Sequence, residues 1–226
     1  MQFLGPNRAP TRDRYDRTHS TDPRTPLLYE LYHSLISANY RSRVLVSRYI
    51  RPKPHDRILD IGCGPGNMLP FLPECQYLGV DANPTYIASA RQRYGNRGEF
   101  VCERVSHHSV QQFGAFDIVL ALGLVHHLDD SEAKDLFRLG YTALRPGGRM
   151  ITNDGCYAPG QSAATRFFLS RDRGRFVRTQ KQYLELAHTQ FQEVDAHLRE
   201  DILRIPHPHL ILECLRGTAD TGKGPI

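Results

Sequence analysis

The stretch Ile58-Leu59-Asp60-Ile61-Gly62-Cys63-Gly64-Pro65-Gly66-Asn67 decides how this chain is read. A short apolar strand runs straight into three alternating glycines, and Met68 to Leu72 follows with helical character. Such a turn lays bare backbone against a ligand. A side chain there would block close approach or forbid the backbone angles, and the following helix would present unpaired N–H groups. A second apolar run, Tyr77 to Val80, ends on Asp81, where a carboxylate accepts hydrogen bonds from both hydroxyls of a ribose. Strand, turn and acid together point to a ribosyl cofactor. The plainer reading, a tight connection with Asp81 capping a helix that starts near Pro84, explains each piece singly but not their conjunction.

Outward from this unit, short apolar runs alternate with helical stretches. Arg57 to Ile61, Gln76 to Val80, Glu99 to Cys102, Phe116 to Leu120 and Arg149 to Asn153 read as strands, and the helices between them imply a parallel sheet with crossovers. Phe191 to Leu198 and Leu210 to Leu215 are two further strands joined by a short proline-containing connection, so they can pair antiparallel. Apolar residues from Leu27 to Ile50 recur at helical spacing, with an interruption expected near Asn39. Residues 1–26, rich in Arg, Asp, Thr and Pro, form an expected flexible arm, and residues 217–226 a flexible tail. The single domain is therefore expected to span residues 27–216.

The 226 residues are 40% hydrophobic, enough for one core. The formal charge of +5 reads as ordinary solvated surface, because no run of Lys or Arg exceeds two residues. The five cysteines show neither metal-ligand spacing nor a disulfide framework, so reduced thiols are expected. No apolar stretch approaches the ~20 residues of a membrane helix, and no signal-peptide region opens the chain; cytoplasmic residence is the expectation.

With these pieces in order, the chain resembles the class I, S-adenosylmethionine-dependent methyltransferases from about Leu27 to Arg216. The matching motifs are Leu59-Asp60-Ile61-Gly62-Cys63-Gly64-Pro65-Gly66, Gly79-Val80-Asp81, Phe116-Asp117-Ile118-Val119-Leu120 with Val125-His126-His127-Leu128, and Leu144-Arg145-Pro146-Gly147-Gly148. The resemblance implies an α/β, Rossmann-like, doubly wound sheet of seven strands, mostly parallel with an antiparallel last strand and helices on both faces. It implies S-adenosylmethionine as cofactor, with Asp60, Gly62, Cys63, Gly64 and Gly66 bordering the methionine half and Asp81 holding the ribose. Ala82 would touch adenine, Glu103 would lie near its amino group, and Leu122 would line the cavity through its backbone. A nicotinamide dehydrogenase shares the first elements, but the glycines here run Gly-x-Gly-x-Gly rather than Gly-x-Gly-x-x-Gly, and an acid precedes them.

Methyl transfer from a sulfonium needs alignment and exclusion of water more than an elaborate catalytic apparatus. A hydroxyl acceptor is helped by a base, and His127 first, then His126, sit where one is needed. Each histidine has an equally simple structural reading, packing or capping the helix entered at Asp129. Asp129 and Asp130 read as partners of that helix N-terminus, and Asp154, ending the fifth strand, either faces the acceptor or, the preferred reading, forms a turn. Residues 155–190 are expected to insert the acceptor-binding segment, with Tyr157, Arg173 and Arg178 as substrate contacts against an apolar wall. Tyr29 and Tyr32 lie on a helix that would close over the cofactor.

The His207-Pro208-His209 segment carries no metal-ligand spacing, and no metal is expected. The expected activity is O-methylation of a small molecule, with N-methylation of a small amine or methylation of RNA as alternatives. Against the last stand the missing Asn-Pro-Pro-aromatic and Pro-Cys segments after the fourth strand, and the absence of an RNA-binding module. Oligomeric state is not legible.

Overall fold

A computed structural model describes residues 38–162, 166, 175–200 and 208–218. Its centre is a mixed sheet in which β1 (Arg57–Ile61), β2 (Gln76–Asp81), β3 (Glu99–Cys102), β4 (Phe116–Leu122) and β5 (Leu144–Tyr157) are parallel. A two-residue strand, β6 (Arg178–Thr179), pairs with the end of β5, and the chain closes with β7 (Glu193–Arg199) and β8 (His209–Leu215). The order is β3-β2-β1-β4-β5-β8-β7, with β8 antiparallel to both neighbours. The seven expected strands are present with the antiparallel last strand in place; the short β6 is the addition.

Two apolar layers sandwich the sheet. One side packs α3 (His107–Phe113), α4 (Asp130–Ala143) and α5 (Gln180–Ala187) through Val110, Phe137 and Tyr183. The other packs α1 (Ala38–Val44), its π-helical continuation Leu45–Ile50, and α2 (Pro84–Tyr94) through Leu45, Tyr49, Ile50 and Ile87. Central strands buried on both faces read as unbroken apolar runs, which is why β4 was so legible. Helix α4 buries Ala133, Leu136, Phe137, Gly140 and Ala143 on a 3.6-residue period, and Asp129 with Glu132 forms its capping box.

Several element boundaries differ from the expectation. The helix expected over Met68 to Leu72 is a single 3₁₀ turn, Leu69–Phe71, because Pro70 and Pro73 remove donors and force Leu72 into extended backbone. The interruption expected near Asn39 falls at the edge of the described residues, which begin at Ala38; within them an irregularity comes at Leu45 and ends at Arg51 in left-handed backbone, φ 43°. The fifth strand begins at Leu144, so Pro146-Gly147-Gly148 lies inside β5 rather than before it, where the register against β4 shifts. Asn83, not Asp81, caps α2, accepting from the Thr85 and Tyr86 amides. The five cysteines are free. The proposed arm, the tail, and Tyr29 and Tyr32 lie outside the described residues.

Buried Glu213 is the one acid inside β8's apolar run. Arg51 donates to it at 2.5 Å and His197 lies 3.3 Å away, so this pairing ties the end of the π-helical turn to the sheet. Gly79 has an equally local reason. A Cβ there would stand 2.8 Å from Cys63 Sγ and 2.9 Å from the Phe100 ring. Gly79→Ala is therefore expected to lower stability by about 1–3 kcal/mol in urea unfolding, with Cys63→Ala recovering part of the loss.

Candidate active site

The carboxyl ends of the parallel strands meet along one edge of the sheet, the place where open α/β sheets hold ligands. At the exit of β1, Gly62, Gly64 and Gly66 all have positive φ. Gly64, at φ 54°, has nothing within 4 Å of where a Cβ would stand, so a ligand can approach bare backbone there. Its amide donates to Asp81 Oδ2 at 3.0 Å, and the Asn83 amide donates to Oδ1 at 2.8 Å. The Asp81 carboxylate is thus fixed between the glycine turn and the start of α2. Ala82, the next residue, is half-buried beside it.

Asp60 is buried at the end of β1 and accepts a 2.7 Å hydrogen bond from the Tyr77 hydroxyl. Burial pushes its carboxyl up to about 7; the Tyr77 hydrogen bond opposes this and the nearby charge of Asp81 adds to it. Cys63, between them, has its thiol held well above its ordinary value by burial and by the same two acids. It is a packing group, not a nucleophile. Glu103 follows β3, its amide bonded to the Asp81 carbonyl, and its buried Oε1 has no hydrogen-bond partner. A ligand amino group is the donor such an oxygen needs. Half-buried Leu122 ends β4, and Leu124 just beyond it lies 3.2 Å from where a Gly62 Cβ would stand. The two halves of the site therefore touch.

The β4–α4 connection carries the second group of residues. His126 is 8% exposed, and both its amide and its ring Nδ1 lie against Asp154 Oδ1, at 3.2 and 2.7 Å. His127 is exposed, and its ring lies tilted by 36° against that of His126 with centroids 4.3 Å apart. Asp154, at 2% exposure, is thus a side-chain partner rather than the expected turn former, and its Oδ2 is buried without a hydrogen bond. The signal that could have found it was its place at the carboxyl end of an apolar strand.

Arg178 needs correcting as a substrate contact. Its five N–H donors go to Asp130 Oδ1, twice, and to the carbonyls of Val125, Leu128 and Phe176. It is a strut that locks β6 onto the β4–α4 connection, while the Phe176 amide donates to the His126 carbonyl. Tyr157 is half-buried at the end of β5, with the Arg166 guanidinium 5.3 Å above its ring. Arg173 and His207 lie outside the described residues; His209 is the buried first residue of β8.

A family described as a methyltransferase domain matches residues 58–148, which hold the glycine turn, Asp81, Glu103 and both histidines. Over that stretch the chain is similar to the S-adenosylmethionine-dependent methyltransferases. It is 27% identical over 155 residues to phosphoethanolamine N-methyltransferase 1 of Triticum aestivum, covering 66% of this chain and 31% of that protein. It is 25% identical over 129 residues to a tRNA (carboxymethyluridine(34)-5-O)-methyltransferase of Saccharomyces cerevisiae, covering 56% and 45%. The chain thus spans less than half the length of these two curated relatives. Its fold superposes on Haemonchus contortus phosphoethanolamine N-methyltransferase 2, solved with phosphomonomethylethanolamine and S-adenosylhomocysteine, at TM-score 0.60 and 17% identity, covering 78% of this chain and 52% of that one.

The acceptors present fit S-adenosylmethionine: the fixed carboxylate of Asp81 for ribose hydroxyls, the unsatisfied Glu103 Oε1 for an amino group, and bare backbone at Gly64 between them. Asp81→Ala is expected to weaken S-adenosylmethionine binding about a hundredfold in calorimetric titration, since hydrogen bonds to a charged group are at stake. Arg178→Ala withdraws the guanidinium from three carbonyls, of which that of Val125 keeps the Leu128 amide, and is expected to cost about 2–3 kcal/mol in denaturant unfolding.

Proposed function

We propose that the protein transfers the methyl group of S-adenosylmethionine to a hydroxyl of a small molecule, with His126 as general base and Asp154 as its partner. The observation that carries this reading is the 2.7 Å contact between His126 Nδ1 and the buried Asp154 carboxylate. A carboxylate there holds the proton on Nδ1 and leaves the ring's lone pair on Nε2. The bound cofactor supplies an electrophilic methyl carbon and a thioether leaving group. His126 Nε2 removes the acceptor's proton as the new C–O bond forms, and Asp154 stabilises the imidazolium until that proton passes to solvent. Exposed His127 lies tilted against the His126 ring, and the Phe176 amide holds the connection in place by donating to the His126 carbonyl.

On this reading, Asp60, Gly62, Cys63, Gly64 and Gly66 line the methionine half of the cofactor. Asp81, Ala82, Glu103 and Leu122 line its nucleoside half. Tyr157, at the end of β5, stands at the acceptor side with Arg166 stacked on it.

A second reading, N-methylation of a small phosphorylated amine, is favoured by the similarity to the wheat enzyme. An amine keeps its own lone pair and needs little help from a base, so the His126–Asp154 pair would have less to do. The yeast similarity raises a tRNA acceptor as well. The deciding experiment incubates the protein with methyl-labelled S-adenosylmethionine and, in parallel, phenols and hydroxy acids, phosphoethanolamine, and unmodified tRNA. Label on a hydroxyl of the first group upholds the proposal; label confined to the amine or to tRNA overturns it. With a hydroxyl acceptor, His126→Ala is expected to lower kcat by 10²–10⁴-fold while cofactor affinity stays within about twofold. A fall below about tenfold would remove the histidine from the reaction.

A further inference from the structure

His126 is gripped on two sides by groups far from it in the chain. Its amide and its ring Nδ1 face Asp154 of β5, and its carbonyl accepts from the Phe176 amide at 3.0 Å. The second grip continues through Arg178, two residues beyond Phe176. Arg178 Nη1 donates to the carbonyls of Val125 and Phe176 at 3.2 and 2.9 Å. Its Nη2 donates to the Leu128 carbonyl at 2.8 Å and to Asp130 Oδ1 at 2.7 Å. Val125 opens the 3₁₀ turn that carries both histidines, and Leu128 closes it. One guanidinium therefore spans the whole turn and ties both of its ends to β6.

The geometry needs an arginine. A guanidinium is planar and carries its donors in a rigid fork, so it fixes the start of the turn, its end and the Phe176 carbonyl relative to one another. A lysine ammonium presents three donors from a single point and cannot span them. The strand that carries Arg178 is itself registered on β5: Cys156 pairs with Arg178 and Tyr157 with Thr179, and the Tyr183 hydroxyl donates to the Gly155 carbonyl at 2.9 Å. Asp154 stands immediately before these residues on the same strand. Both grips on His126 are thus referred to one strand end, Asp154 directly and the other through β6.

We propose that Arg178 is a positioning residue for His126: by bridging the two ends of the turn to β6, it holds the imidazole where Nδ1 meets Asp154 and Nε2 is left for the acceptor. Arg178 touches neither cofactor nor acceptor in this role. Without it the ends of the turn lose their tie to β6, and the ring is free to swing off Asp154. A misplacement of about 1 Å lowers a rate about a hundredfold even when every reacting group is present. The effect on rate rests on the reading of His126 as general base; the effect on the ring's placement does not.

The test compares imidazole 15N–1H spectra of the protein with S-adenosylhomocysteine added, for wild type, Arg178→Ala and Arg178→Lys, with His126→Gln to assign the signal. In the wild type the His126 Nδ1 proton, held by Asp154, is expected to exchange slowly with water. In Arg178→Ala that exchange should quicken at least about tenfold, with Arg178→Lys between the two. Affinity for S-adenosylmethionine, read by calorimetry, should stay within about twofold in both variants. With a hydroxyl acceptor, kcat of Arg178→Ala should fall about a hundredfold while KM stays within about threefold, and the lysine should recover part of the loss. A merely structural strut would lower the unfolding midpoint yet leave the Nδ1 proton of the folded molecules as protected as before.

Fast Nδ1 exchange in the wild type, or unchanged exchange in a folded Arg178 variant, overturns the proposal. So does a fall in kcat no larger than the loss of folded protein. Should Arg178→Ala fail to fold, Arg178→Lys carries the same comparison. If His126→Gln leaves the rate untouched, the general base has been misassigned, and the Nδ1 measurement still decides whether Arg178 places the ring.

Discussion

The hydrogen bond from the Gly64 amide to the Asp81 carboxylate joins the exit of β1 to the exit of β2, and the geometry of the cofactor side hangs from it. A parallel pair of strands delivers both chain ends to the same edge, but each then turns away into its own connection. Without a cross-tie the two exits would move independently. Here one carboxylate grips the turn through Gly64 and the start of α2 through Asn83. Gly79 reinforces the arrangement by omission, since Cys63 Sγ occupies the space a side chain would fill. The following helix, so often invoked to hold such turns, is reduced to a single 3₁₀ turn by Pro70 and Pro73. Order in this turn comes from side-chain to backbone bonds rather than from a helix beneath it.

The other half of the edge is tied by different chemistry. Arg178 spends all its donors on Asp130 and on the carbonyls of Val125, Leu128 and Phe176, so the β4–α4 connection is held by a residue far along the chain. Asp130 is largely exposed, so the carbonyls, not the ion pair, account for most of what the arginine contributes. His126 is gripped twice by Asp154 from within the sheet. Contact between Leu124 and the glycine turn then fixes the distance between the two halves.

The architecture was legible in the sequence because its signals are local. Five apolar runs, the glycine turn and the acid ending β2 marked the parallel strands, and Asp129 with Asp130 marked the start of α4. Element ends were less legible where glycine and proline have two meanings: Pro146-Gly147-Gly148 reads as a loop, yet β5 absorbs it as a register shift against β4. The side-chain partnerships were illegible because they are non-local. Nothing near Asp154 in the chain announces His126, nothing near Arg178 announces Val125 and Leu128, and Tyr77 reads as one more strand aromatic until its hydroxyl is seen on Asp60.

Those partnerships also leave a particular deficit. Among the described residues, buried Glu103 Oε1, Asn153 Oδ1 and Asp154 Oδ2 accept no hydrogen bond, and all three lie after or towards the carboxyl ends of their strands. Each such oxygen costs a folded protein about 1–3 kcal/mol when nothing satisfies it. All three are acceptors, so a ligand bearing hydroxyls or an amino group would satisfy them. An anionic nucleotide phosphate would meet Asp60 and Asp81 instead and find no cation among them. The same polarity that makes the unliganded edge costly suits a hydroxyl-bearing adenosine with an amino group better than the phosphates of a dinucleotide.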